Sequence, residues 1–147
     1  MDKKLISPYQ DWGLLVLRIA LGVIFIVHGW GKLFGHAPGM EGFTMMLAGL
    51  AFPAPALFAY LVALVEFIGG IAVLLGVWTK LFGLLIAVDM IVAFLKVKQG
   101  LPAGDPDVAL FAIAVALSIM GSGAYALHWK GEESETHTPS STTTHHS

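Results

Sequence analysis

Five ionisable side chains sit within or at the ends of long apolar runs of this chain: Arg18, His28, Lys32, Glu66 and Asp89. Their types suit hydrogen bonding, ion pairing and proton exchange. A charged group at the centre of a helix in lipid costs about 2.5–3.5 kcal/mol on insertion scales. A chain that keeps one there normally provides a partner or a wet cavity. Glu66 and Asp89 have short stems and cannot easily reach an interface. Arg18 has a long one, so it either snorkels to the membrane surface or turns inward to pair with Glu66 or Asp89. The inward orientation is the expectation here. His28 and Lys32 are spaced i, i+4 and share one helix face. Gly29 and Gly31 thin that helix around Trp30 and let another helix or a ligand approach. A polar mouth to a pocket is one reading of this end; ordinary interfacial anchoring is the plainer one. Glu66 and Asp89 likewise read either as site-lining groups or as helix fasteners.

These residues must be carried by membrane elements. The chain has 147 residues, 56% hydrophobic and 12% charged, with mean hydropathy +0.78. Soluble domains carry roughly 25% charged residues. A span needs about 20 apolar residues. Four runs of that order fit, at about 12–34, 56–78, 80–97 and 108–129, with little left over. They are apolar all round, as buried or spanning helices are. Backbone groups in lipid must pair internally, so the runs are helices. The expectation is an all-α membrane protein with four transmembrane helices in an antiparallel bundle over residues 12–129. Residues 1–11 form a polar lead, and the first span reads as a retained helix rather than a cleaved signal.

The connections carry their own signals. Residues 35–55, GHAPGMEGFTMMLAGLAFPAP, are rich in Gly and Pro, and FTMMLAGL within them suits a short interfacial or re-entrant helix. The link at 77–80 is a tight turn, so spans two and three should be antiparallel neighbours. Residues 98–107, KQGLPAGDPD, read as a polar loop, and 130–147 as a disordered Ser/Thr-rich tail. Trp12, Trp30, Trp78 and Trp129 fall near span ends, as in an aromatic belt. Lys3, Lys4, Lys80 and Lys130 lie on the side of the termini, against Lys32, Lys96 and Lys98 on the other. That slight bias favours cytoplasmic termini.

Helix rise gives depths. Arg18 lies roughly 9 Å from one boundary and His28 roughly 9 Å from the other. Glu66 is roughly 15 Å deep and Asp89 roughly 13 Å, so the two carboxylates share a level near the midplane. His28 should then line the mouth opposite Arg18.

Several chemistries are excluded. There is no cysteine, hence no disulfide, thiol redox pair or Cys-ligated metal. His28 is well inside a span and His128 lies near the opposite side, so no haem or metal site is expected. Net charge is −2 with no basic patch, which gives no sign of nucleic-acid binding.

The run LRIALGVIFIVHGWGKLFG (17–35) closely resembles the opening motif of the DoxX family. VEFIGGIAVLLGVWTKLFGLLIAVDM (65–90) resembles its second block. The resemblance covers roughly residues 12–129, and Arg18, His28, Gly29, Lys32, Glu66 and Gly70 fall on the motif. It implies a small four-helix protein of the bacterial inner membrane. Some relatives are membrane subunits of a thiosulfate:quinone oxidoreductase, and others belong to oxidative-stress assemblies. The implied role is a membrane subunit or anchor of a redox system, with a quinone-like ligand and a soluble or membrane redox partner. A non-catalytic scaffold and a small-solute or proton transporter are the alternatives; the residues leave room for a homo-oligomer.

Overall fold

The computed structural model describes residues 8–36, 38–97 and 105–127. Among them there are helices and turns and no strands. The helices are α1 (Pro8–Phe34), α2 (Gly39–Gly49), α3 (Pro55–Leu75), α4 (Thr79–Val92) and α5 (Asp105–Met120). A π-helical turn, Ala93–Val97, extends α4.

Local chemistry explains most of the boundaries. Proline opens α1 and α3, where its missing N–H is no loss. α3 stops at Gly76, whose φ of 81° is open to glycine at little cost. There Val77 N–H bonds to Ala72 O at 2.9 Å, the closing bond of a Schellman end. α2 occupies the stretch expected to form a short helix between the first two spans.

The fourth apolar run behaves differently from the expectation. Its helix begins three residues earlier, at Asp105, and ends at Met120 instead of continuing to 129. Gly121 and Gly123 adopt φ of 81° and 71°, which break the helix. Residues 121–127 then turn back across the bundle. Leu127 N–H bonds to Leu75 O, and Ala124 N–H to Asp11 Oδ1. His128, Trp129, the tail at 130–147 and residues 1–7 lie outside the described residues.

Residue pairs set the direction of packing. Arg18 meets Val73 and Leu74, and Lys32 meets Glu66, so α1 and α3 run in opposite senses. Gly83 abuts Ala114 and Ser118 across α4 and α5, and Gly69 abuts Phe82 and Ile86 across α3 and α4. α1 and α3 approach closely. A Cβ on Gly29 would sit 2.5 Å from the Phe67 nitrogen, and one on Gly70 2.7 Å from the Ile26 nitrogen. Small residues are what permit such backbone contact.

Each long helix divides into two faces. On α1, Leu14, Arg18, Leu21 and Phe25 are buried in the bundle. Trp12, Val16, Ile19, Val23, Val27, Trp30 and Phe34 recur every three or four residues on the outside, all exposed. Leu81, Leu84, Val88, Ile91 and Leu95 repeat the pattern along α4 and the π turn. A continuous apolar exterior of this size is a liability in water, whereas lipid solvates it. Two helices, α1 from Tyr9 and α3, are long and apolar enough by themselves to cross a bilayer.

Candidate functional site

At the end of the bundle away from Arg18, the helices part around a cavity of about 670 Å³. α1, α2, α3, α4, the π turn and the start of α5 all contribute walls. Phe43 and Leu47 of α2, with Phe52 and Phe58, close one side. Leu47 is itself buried, which seats α2 as a cover. The walls are almost wholly apolar; His28, Lys32, Glu66, Asp89 and Asp107 are the polar side chains that reach them.

Lys32 organises this polar set. Its Nζ donates to both oxygens of Glu66, at 2.5 and 2.6 Å. The same Nζ lies 4.3 Å from the centre of the Phe43 ring, within cation–π range. One side chain from α1 thereby ties α3 and α2 together. The Glu66 side chain is 4% exposed and Lys32 22%. Glu66 reaches this depth because Gly29 lets α1 lie against the backbone of α3 beside it. Asp89, one helix further on, stands close enough to Glu66 for side-chain contact and feels the charges of Lys32 and Asp107. Oδ2 of Asp89 and Oδ2 of Asp107 are both buried without a hydrogen-bond partner. His28 lies at the exposed mouth, where its Nδ1–H donates to Ile24 O at 2.8 Å. A carbonyl can only accept, so this bond assigns the proton to Nδ1.

Four of the five residues singled out in the sequence therefore meet in one place. Arg18 does not join them. It is 1% exposed and points inward, as expected, but neither Glu66 nor Asp89 is its partner. Its Nε donates to Val73 O at 3.0 Å, and Nη2 to Leu74 O at 2.9 Å. Nη1 donates to Ser122 O at 2.9 Å and Tyr125 O at 3.0 Å. The reason is one of level. Glu66 lies seven residues from Val73, about 10 Å along the α3 axis. Nearer to hand are the last carbonyls of a helix C-terminus, which attract a cation. Gly76 leaves the space, since a Cβ there would collide with the guanidinium.

Asp107 escaped the sequence reading, which placed it in a polar loop. In the structure it occupies the first turn of α5 and faces the cavity. The signal was present in Asp105-Pro106-Asp107, an acidic and proline-bearing helix start. Among the described residues, no group of three or more His, Cys, Asp or Glu side chains is disposed to hold a metal ion.

Comparison with known proteins agrees with the membrane character of the chain. The DoxX family model matches residues 13–99. A protein of Bacillus subtilis (strain 168) named "Putative oxidoreductase CatD" is 35% identical over 118 residues, covering 78% of this chain and 84% of the relative. "Inner membrane protein YqjF" of Escherichia coli (strain K12) is 32% identical over 124 residues, covering 80% and 91%. No solved structure matches significantly. The matched segment contains Arg18, His28, Lys32, Glu66 and Asp89, together with the close α1–α3 contact that sets Lys32 against Glu66; the chain belongs to the DoxX family of membrane proteins.

Proposed function

We propose that this protein is a four-crossing component of the bacterial inner membrane that serves a redox system by holding a quinone-like ligand. α1, α3, α4 with its π turn, and α5 make the crossings, and α2 lies at the surface as a cover. The termini face the cytoplasm. The names of two relatives, "Putative oxidoreductase CatD" and "Inner membrane protein YqjF", favour this setting.

One observation carries the ligand reading: a cavity of about 670 Å³ with apolar, partly aromatic walls and a small polar floor. Such a shape suits a flat ring with an apolar tail, oriented by a few polar groups. Lys32, Glu66 and Asp89 form the floor, and His28 stands at the mouth. A redox partner, soluble or in the membrane, exchanges electrons with the ligand. The chain itself contributes binding and groups that exchange protons.

Purification of the full chain in mild detergent, followed by solvent extraction and mass spectrometry, tests this. A lipid quinone should remain with the wild type and fall severalfold with Glu66→Gln at equal protein yield. Absence of retained quinone, together with no quinone-dependent oxidation by co-purifying subunits, would overturn the reading and favour a scaffold.

A further inference from the structure

Besides the polar mouth at His28, the cavity has an apolar opening in its side. Elsewhere the helices close on one another. Gly29 and Gly70 bring α1 and α3 together backbone to backbone, and Gly83 sets α4 against Ala114 and Ser118 of α5. α2 covers one end, with Leu47 buried and Phe43 held against Lys32. α3 and α4 touch near their tight turn, where Gly69 faces Phe82 and Ile86. From that level toward α2 they line the cavity, through Leu61 and Val65 on α3 and Leu85 and Val88 on α4. Leu61 also belongs to the exposed stripe Leu57, Leu61, Leu64 and Ile68, and Val88 to the exposed stripe of α4. They are 48% and 53% exposed. Side chains that line the interior and also face outward mark a continuous passage between the two.

In the proposed setting the exterior at this level is lipid. Leu61 lies five residues from Glu66, about 7.5 Å along α3 toward α2. The passage therefore falls between the buried carboxylate and the covering helix, within one leaflet. Its walls are helical, so an opening there leaves no backbone group unpaired in hydrocarbon. A long apolar tail needs an outlet from a cavity of about 670 Å³. Drawn through a polar mouth, the tail would give up its apolar surroundings; between α3 and α4 it never leaves hydrocarbon. We propose that the ligand enters sideways from the leaflet on the α2 side, through the gap between α3 and α4. Its tail stays in that gap while its ring lies over Lys32 and Glu66. Leu61, Val65, Leu85 and Val88 are the residues that select a ligand with a long apolar chain. The inference rests on the proposed quinone-like ligand and adds its route and the part of it that the gap recognises.

The test uses the full chain in phosphatidylcholine nanodiscs and a benzoquinone whose decyl tail ends in a diazirine. Illumination with and without an excess of the unmodified decyl benzoquinone, followed by peptide mass spectrometry, gives the labelling that competition removes. That labelling should fall on residues 58–65 and 85–92. Competed labelling centred instead on His28 and the start of α5 would overturn the route and leave the proposed function standing. Absence of competed labelling anywhere would overturn both. Exchange rates of the unmodified quinone give a second readout. Leu61→Trp with Val88→Trp adds bulk to rim residues that already face outward, and should slow binding and release severalfold. Val27→Trp adds similar bulk on the outer face of α1, away from the gap, and should leave both rates unchanged. Equal rates in the rim variant and the wild type would overturn the route.

Discussion

The two ends of the bundle each draw in a cation from α1, Arg18 buried and Lys32 half-buried, and treat it in opposite ways. At one end Arg18 distributes four hydrogen bonds among backbone carbonyls of α3 and the segment after α5. Its partners are neutral and covalently part of the fold. At the other end Lys32 meets a carboxylate, and two further carboxyl groups nearby keep oxygens to spare. The first end is saturated and reads as a fastener. The second is under-satisfied around a cavity and reads as a site. Burial of an ionisable group in a membrane helix thus does not mark function by itself; what matters is whether its surroundings consume all the bonding capacity.

The largest effect should come from the saturated end. Arg18→Met removes four hydrogen bonds to carbonyls, of which only Val73 O keeps another donor, the Gly76 N–H, and hydrogen bonds to a charged group are worth about 1.5–3 kcal/mol each. A loss of at least about 3 kcal/mol is expected, seen as collapse of detergent-soluble yield and a lowered thermal midpoint. Arg18→Lys should recover only part, because an ammonium lacks the guanidinium fork. No second substitution can rescue the change, since the partners are main chain.

At the cavity end, rescue should be available, and that difference breaks the comparison open. Lys32→Met strands the Glu66 carboxylate, at a cost of about 3 kcal/mol. Adding Glu66→Leu should restore most of the stability, because a well-packed apolar pair often replaces a buried ion pair without loss. Quinone retention should stay low in the double variant. Thermal unfolding and ligand extraction on the wild type and the two variants read both quantities. Rescue of ligand retention along with stability would assign the pair to the fold rather than the site.

The smallest effects separate two neighbouring glycines. Gly29→Ala pushes a methyl into the Phe67 backbone and should cost about 1–3 kcal/mol by spreading α1 from α3. Gly31→Ala has nothing within 4 Å of the new carbon. It should leave stability unchanged or raise it by at most about 1 kcal/mol through better helix propensity. Thermal midpoints in one detergent compare the two directly. If both were neutral, the close α1–α3 approach would not be what seats Glu66.

Much of this arrangement was legible before any coordinates. Depth arithmetic put Glu66 and Asp89 at one level, and they do stand together. The i, i+4 spacing put His28 and Lys32 on one face, and both line the cavity. Three points were beyond it. Depth along a helix says nothing of which carbonyls another segment brings near, so the sequence points Arg18 to carboxylates while the fold gives it carbonyls. Apolarity continues past Met120, but Gly121 and Gly123 end the helix where hydropathy shows no break. Asp107 reads as part of a polar loop by composition, whereas Asp105-Pro106-Asp107 opens α5.

What the amino-acid order determines by itself is the membrane character and the helical runs, since both follow from local composition and from backbone groups having no partner in lipid but their own helix. It also determines the family, through motifs on the first three apolar runs. The choice of partner for each buried charge belongs to the tertiary structure alone. A hydrogen bond forms over about 3 Å, a tolerance set by the close contact of α1 with α3 and by the returning segment after α5. At that scale Lys32, rather than Arg18, reaches Glu66, and the apolar run beginning at Trp12 holds a fastener at one end and a candidate site at the other.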